Sequence, residues 1–360
     1  MPDSSPPVYG LVLAGGSGSR FWPLSRNDKP KQLLKLFDDE TLLEKAVRRL
    51  DGLVPPGRIL VLTNHAQLAG VKEVLPWLPE ENFFAEPDKR DTGPAIALGI
   101  GAVARRDPEA VMMVLPADQL IADAEGFRSV MAAAVEAAAK GDAIVTLGIK
   151  PTWPCPGYGY IERGARARIS GVEGGHPVHE VVRFREKPDT DLAERFLADG
   201  HFSWNAGIFV WSIATVMREL ARHCPELADF VTELRHSRDF DATVAAQFPK
   251  LTRISVDYAL MEKATRVFNI EADIGWDDVG GWVSVGKYLE QAGRDNATRG
   301  PVTLLDSYNN VVYSSGGARV ALLGVHDLVV VQTSDAVLVA DKDEADRIKK
   351  LVEDLPPELC

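Results

Sequence analysis

With 360 residues, 46% of them hydrophobic and 26% charged, the chain has an ordinary globular composition and enough length for one large core plus a smaller appended unit. A formal net charge of −12 argues against a nucleic-acid-binding surface, and no apolar run approaches the ~20 residues of a membrane span. Cys155, Cys224 and Cys360 are scattered and fit neither a disulfide framework nor a zinc site. The opening MPDSSPP lacks the basic and apolar regions of a secretory leader, so a cytoplasmic protein with no nucleic-acid and no membrane partner is expected.

Residues 9–14, YGLVLA, read as a strand buried on both faces. The strand empties into Gly15-Gly16-Ser17-Gly18-Ser19-Arg20, where three glycines in four positions let backbone N–H groups approach an anion closely. Ala14, Gly15, Gly16 and Gly18 are the candidate binding positions of that turn. Arg20 adds a planar fork of donors suited to phosphate oxygens. Pro23 and Pro30 restrict the chain that follows, which helps bring a second cation, Lys31, back over the same pocket. The dinucleotide fingerprint fails because Phe21 stands where its third glycine belongs, and no Gly-Lys-Ser/Thr follows for a Walker loop. A dehydrogenase is thereby excluded, and a phosphate-binding loop of another kind is expected.

The stretch LAGGSGSRFWPLSR, followed by PKQ, is similar to the signature of the sugar-1-phosphate nucleotidyltransferases, and among them of the mannose-1-phosphate guanylyltransferases. The resemblance implies that the loop holds a nucleoside triphosphate and that Arg20 and Lys31 neutralise the departing pyrophosphate.

Further along, TLLE at 41–44 is a capping box opening a helix, and ILVLT at 59–63 is another buried strand. A helix over 65–75 stops at Pro76, and the β-α-β-α order predicts a doubly wound, mostly parallel sheet with helices on both faces. In EPDKRDTGPAIA, Asp91 or Thr92 can cap the next helix, with Pro94 in its first turn. By resemblance this segment reads the base, so Glu86, Asp91 and Thr92 are candidate nucleotide-binding residues, and Gly93 stands where the family usually has Ala. A carboxylate at Glu86 can accept from both N1–H and the 2-amino group of guanine, which other bases do not offer together.

VMMVL at 111–115 is a further buried strand ending in Pro116-Ala117-Asp118. Open α/β sheets bind ligands at the carboxyl ends of such strands, and a carboxylate there suits a hard cation. The resemblance makes Asp118 one Mg²⁺ ligand, and it assigns the second to Asp278 rather than Asp277 in GWDDVG. The segment PCPGYGYIE is similar to the family's sugar-binding loop, with Cys155-Pro156 where Glu-Thr is usual. Gly159 would let a sugar hydroxyl meet the backbone. The same resemblance makes Glu186 and Asn205 hydroxyl partners and Lys187 the grip on the sugar phosphate. Asn205 can both donate and accept.

Residues 212–223, 225–236 and 241–247 read as outer helices, and SVDYALMEK at 255–263 as a capped helix. From about residue 303 short strands recur every eight to ten residues, which predicts an all-β unit, either a few β-helix turns or a small sandwich, closed by an amphipathic helix over 344–355. The expected division is a catalytic unit at 1–295 and a β-rich unit at 296–360, the latter a candidate homodimer surface. The sequence stops short of the isomerase-like domain of long bacterial relatives, so one activity is expected.

The resemblance implies attack of mannose 1-phosphate on the α-phosphorus of GTP, giving GDP-mannose and pyrophosphate. Two other readings stand beside it. One is a sibling enzyme joining another nucleotide to another sugar 1-phosphate. The other is a nucleotide-sugar sensor without activity, against which stand both carboxylates and all three cations.

Overall fold

The computed structural model describes residues 6–16, 18–169, 172 and 175–359; Ser17 of the glycine turn and Cys360 lie outside them. The apolar runs become strands that assemble into one nine-stranded sheet. In chain order the strands are β1 (Val8–Leu13), β2 (Ile59–Asn64), β3 (Phe83–Glu86), β4 (Val111–Pro116), β5 (Leu120–Ile121), β6 (Ile144–Ile149), β7 (Tyr160–Arg166), β8 (Val178–Arg185), β9 (Phe202–Ser212), β10 (Val267–Ala272) and β11 (Trp276–Asp277). All but β5 and β11 join the large sheet, in the order β3-β2-β1-β4-β9-β6-β10-β8-β7. Its pairings are parallel from β3 to β4 and between β6 and β10, while β9 runs antiparallel between β4 and β6. The all-apolar runs of β1, β2 and β4 are what a sheet covered on both faces requires.

Helices α1 (Leu42–Arg48), α2 (Leu68–Val74), α3 (Thr92–Arg106) and α4 (Ala124–Gly141) pack on that sheet. The capping box is present: Glu44 N–H donates to Thr41 Oγ1 at 3.1 Å and Thr41 N–H to Glu44 Oε2 at 2.7 Å. Two apolar cores flank the sheet, one with Phe127 and Met131 of α4, the other with Ile96 and Val103 of α3. The helix expected over 255–263 is instead a π-helical turn, Asp257–Met261. Wider turns of this kind recur at functional sites.

The C-terminal strands are β12 (Glu290–Gln291), β13 (Ala297–Arg299), β14 (Val302–Leu305), β15 (Val311–Ser314), β16 (Val320–Leu323), β17 (Leu328–Gln332) and β18 (Val337–Asp341). Strands β13, β15 and β17 stack in parallel, and so do β14 and β16, with Val311 facing Val329 and Val302 facing Val320. That parallel stacking makes a β-helix and excludes the sandwich. The closing segment is a 3₁₀ stretch, Lys342–Arg347, running into a short α-helix, Ile348–Glu353.

A third core joins this β-helix to the chain that follows the glycine turn. Phe21, Trp22, Leu34 and Leu36 pack with Val279, Trp282, Val311 and Val329. The Trp282 ring lies 5.7 Å from Phe21 and 5.2 Å from Tyr313, and its indole N–H donates to the Trp22 carbonyl at 3.1 Å. Arg299 donates to the Leu36 carbonyl at 2.8 Å, and the Trp22 indole to that of Leu359 at 2.9 Å. Since Trp282 is fully buried, Trp282→Ala should lower the unfolding free energy by about 3–5 kcal/mol. Urea denaturation followed by circular dichroism would measure it.

Candidate active site

The crevice lies at the carboxyl ends of β1, β4 and β6, where the strand order turns back on itself. Its floor is the glycine turn, with Gly16 at φ 96° and Gly18 at φ 60° in the region that favours glycine. Carbonyls of the turn are held from behind. The Ala14 oxygen accepts from Gln32 Nε2 at 2.7 Å and Thr63 Oγ1 at 2.9 Å, and the Gly16 oxygen accepts from Gln67 Nε2 at 2.9 Å. Gln32, Thr63 and Gln67 are buried, and sequence reasoning passed over all three as supports. Gly15 and Gly16 are exposed to the crevice.

The two cations of the signature are treated differently by the fold. Arg20 is exposed and, among the described residues, held by no hydrogen bond or ion pair. Lys31 is buried, with its Nζ 3.1 Å from Asp118 Oδ2 and 2.7 Å from the main-chain oxygen of Asp278. The backbones meet as well: a Cβ on Gly18 would lie 2.5 Å from the Lys31 nitrogen.

Asp118 and Asp278 are brought together by a two-residue antiparallel pairing, in which Leu120 of β5 faces Asp277 of β11. Gln119 locks it, accepting from the Trp276 indole at 2.9 Å and donating to the Ala206 carbonyl at 2.7 Å. The adjacent carboxylates then divide by environment. Asp277 accepts from the Val279 N–H at 2.7 Å and the Tyr288 hydroxyl at 2.9 Å, so it serves the turn. The Asp278 carboxyl is pushed up first by burial and then by Asp118 and Asp277, against the pull of Lys31 and Arg20. Two hard carboxylates at neighbouring strand ends, one of them already holding an ammonium, are a donor set that fits a divalent cation completed by phosphate oxygens. Among the described residues no cluster of three or more Asp, Glu, His or Cys could hold a metal unaided.

On the base side, Glu86 ends β3 and reaches over Gly15, where an added Cβ would sit 3.9 Å from Glu86 Oε1. Burial, and then the Asp91 charge, push the Glu86 carboxyl up to about 7. Asp91, at φ 70°, caps α3 by accepting from the Thr92 N–H at 2.9 Å, and the Thr92 hydroxyl accepts from Val256 N–H at 2.9 Å. Gly93, the departure from the family pattern, donates its N–H to the Ile254 carbonyl at 2.9 Å, and a Cβ there would meet that oxygen at 2.7 Å. The close approach of the two segments requires glycine.

On the sugar side, Gly159, Glu186 and Asn205 converge. A Cβ on Gly159 would lie 2.6 Å from Glu186 Oε2 and 3.3 Å from Asn205 Cβ, and the Asn205 N–H donates to the Gly159 carbonyl at 2.8 Å. Lys187 is exposed, sits at φ 45° and pairs with Glu186 Oε1 at 3.1 Å. The Asn205 side chain is already engaged, accepting from the Gly207 N–H at 3.0 Å and donating to Asp257 Oδ1 at 3.1 Å. Asp257, on the π-helical turn, is the residue that sequence reasoning missed, because SVDYALMEK reads as an ordinary helix. Burial, with Glu186 opposite, pushes its carboxyl up to about 6. Tyr158 packs against Trp204 at 5.2 Å and Trp276 at 5.5 Å, walling this side. Cys155 is buried in the core beneath it.

A cavity of about 400 Å³ is lined by Gly15, Gly16, Glu86, Asp91, Thr92, Asp118, Gly207 and Asp257 among others, and the Gly159–Glu186–Asn205 cluster adjoins it through the Asn205–Asp257 hydrogen bond. A larger one of about 760 Å³ lies at the outer edge of the sheet around Phe83, Phe84 and Phe240. It holds none of the glycine-turn residues, and its Lys72 and Arg106 are already bonded to Glu80 and Asn82. Three of the nine described non-glycine residues at positive φ lie at the site, Asp91, Lys187 and Val279, the last at φ 48°.

Comparison with known proteins adds a family to this geometry. A family model described as nucleotidyl transferase matches residues 9–293, and one described as the MannoseP isomerase/GMP-like beta-helix domain matches 300–355. A mannose-1-phosphate guanylyltransferase of Escherichia coli (strain K12) is 38% identical over 97% of this chain and 73% of its own length. The alginate biosynthesis protein AlgA of Pseudomonas aeruginosa is 36% identical over 96% and 71%. A crystal structure from Thermus thermophilus, described as a mannose-1-phosphate geranyltransferase, superimposes with a TM-score of 0.86 at 37% identity, covering 96% of this chain and 98% of that one.

Gly18→Ala would drive a methyl group into the Lys31 backbone at a left-handed position. Turnover should fall by about 100-fold or more, the cost of misplacing a group at the reacting centre by ~1 Å, with the far-ultraviolet circular dichroism unchanged.

Proposed function

The chain belongs to the nucleotidyl transferase family, in the mannose-1-phosphate guanylyltransferase branch that carries the β-helix, and from that membership we propose that it transfers GMP from GTP to α-D-mannose 1-phosphate, yielding GDP-mannose and pyrophosphate. The observation that carries this reading is the meeting of three groups at one crevice: the open glycine turn, the Lys31–Asp118–Asp278 contact, and the Gly159–Glu186–Asn205 cluster.

Both reactants are anions, so the barrier is mostly repulsion and positioning. Asp118 and Asp278 would hold Mg²⁺, which when bound would supply positive charge to offset the repulsion between the phosphates. Backbone N–H groups at Gly15, Gly16 and Gly18 receive the triphosphate. Arg20, exposed and without a hydrogen bond or ion pair among the described residues, folds onto the leaving pyrophosphate together with Lys31. Lys187 holds the sugar phosphate in line with the α-phosphorus, while Glu186, Gly159 and Asn205 orient the sugar through its hydroxyls. Asp257 positions the Asn205 amide. Displacement is in line, and no side-chain nucleophile is required.

On the base side Glu86 accepts from guanine N1–H and N2–H, with Asp91 and Thr92 ordering its loop. We place the division between this machinery and the β unit at 295 and 296, with β12 pairing across it to β13. Leu305 and Leu323, paired in register and both well exposed, offer that unit a surface for a homodimer. No described helix is long and apolar enough to cross a membrane, and we assign the protein to the cytoplasm.

Pyrophosphate release with Mg²⁺, crossing the four nucleoside triphosphates with mannose, glucose and galactose 1-phosphates, tests the assignment. GTP with mannose 1-phosphate should lead by tenfold or more, about 1.4 kcal/mol. A lead by another pair would make this a sibling enzyme, and no turnover with any pair would favour a sensor.

Guanine recognition needs the Glu86 carboxylate, yet in the free protein this group titrates near pH 7. Protonation below that pH competes with the base, so GDP-mannose, which has no terminal phosphate to titrate, should bind about tenfold more weakly at pH 6 than at pH 8. Isothermal titration calorimetry would read it. Glu86→Gln should bind weakly at both pH values, and a persisting pH slope in that variant would assign the proton elsewhere.

A further inference from the structure

We propose that Lys31 and a divalent cation are alternatives at Asp118: the ammonium sits against the Asp118 carboxylate and the Asp278 main-chain oxygen, and the arriving triphosphate draws it out. This rests on the reading of the Asp118 and Asp278 carboxylates as the metal's ligands.

The contact geometry carries the argument. The Lys31 ammonium is 3.1 Å from Asp118 Oδ2 and 2.7 Å from the Asp278 main-chain oxygen. Its side chain is only 7% exposed, so the charge is lodged inside the site rather than swinging above it. The Phe21 ring, 5.7 Å from Nζ, covers it on another side. A divalent cation bound to Asp118 would stand about 2.1–2.5 Å from the carboxylate oxygen, in the space the ammonium now fills. Two cations that close repel strongly where water is largely excluded. Metal and ammonium are therefore alternatives at Asp118.

Two further features make the exchange workable. The Lys31 backbone is pinned by its contact with Gly18, so only the flexible four-carbon stem moves. The described residues also lack a third Asp, Glu, His or Cys with which to complete a metal shell, so phosphate oxygens of the nucleotide would strengthen a shell otherwise left to water. When metal arrives already bound to a triphosphate, the phosphate oxygens give the ammonium a new partner as it leaves Asp118. One residue thus pairs with the Asp118 carboxylate before the metal arrives, and later neutralises the leaving group. The free protein should consequently bind divalent cation poorly, and metal should enter with the nucleotide.

The test is Mn²⁺ binding to the whole chain, followed by the electron paramagnetic resonance signal of free Mn²⁺, without nucleotide. Lys31→Met removes the charge and keeps the stem, and it should bind Mn²⁺ at least tenfold more tightly than wild type. Adding Asp118→Asn should abolish that gain. Lys31→Ala, which removes both the charge and the stem from that space, is the second variant should the first not fold, with the same expectation. Unchanged or weaker Mn²⁺ binding in the folded Lys31 variant overturns the proposal. The underlying metal assignment is read separately, from Mn²⁺ binding in the presence of GTP. If Asp118→Asn lowers that binding while the Lys31 variants show no gain, the carboxylates keep their role and Lys31 loses this one. If Asp118→Asn changes nothing even with GTP, the metal assignment itself falls, and the proposal with it.

Discussion

Everything in the crevice is arranged around the repulsion between like charges. Asp118, Asp277 and Asp278 would drive one another apart in a partly dry site unless each had a partner. The fold supplies partners for the Asp118 and Asp277 carboxylates, while burial and like charges push the Asp278 carboxyl up. Lys31 meets Asp118 and the Asp278 carbonyl, whereas Asp277 is bound by Tyr288 and its own turn. The short β5–β11 pairing, held by Gln119, sets the distance between the two strand ends, and with it the geometry any bound cation must accept.

That arrangement extends into the β-helix. The segment from Phe21 to Leu36, which carries Lys31 through the middle, has its apolar side buried against Trp282, Val311 and Val329. Arg26 also forms an ion pair with Asp335 across the same boundary. The appended unit therefore braces the back of the phosphate loop. The Arg26–Asp335 pair, with Asp335 half exposed, adds little by itself; the buried aromatic contacts are the stronger tie.

The base and sugar sides are linked through backbone. Residues 90–93 are stitched to 254–256 by Gly93 N–H to Ile254, Ile254 N–H to Arg90 and Val256 N–H to Thr92. The next residue is Asp257, whose carboxylate holds Asn205. A shift in the 90–93 loop would thus be felt at the Asn205 amide, which couples the two sides of the crevice physically.

Much of this was legible in the chain itself. Apolar runs ending in glycines or a carboxylate are local patterns, and they announced the strands, the glycine turn, Asp118 and the capping box of α1. The signature from Leu13 to Gln32 pointed to a phosphate site because that motif is contiguous. Asp278 was separable from Asp277 only by resemblance, since the hydrogen bonds that occupy Asp277 come from Tyr288 and a turn. The role of Asp257 was hidden because a π-helical turn and an α-helix share one apolar pattern, and the β-helix was undecided because parallel stacking is a long-range choice. Above all, local sequence cannot tell a cation that is free from one already engaged. Arg20 and Lys31 look alike in the motif, and only the packing of β5, β11 and Gly18 around Lys31 buries one among carboxylates and leaves the other in water.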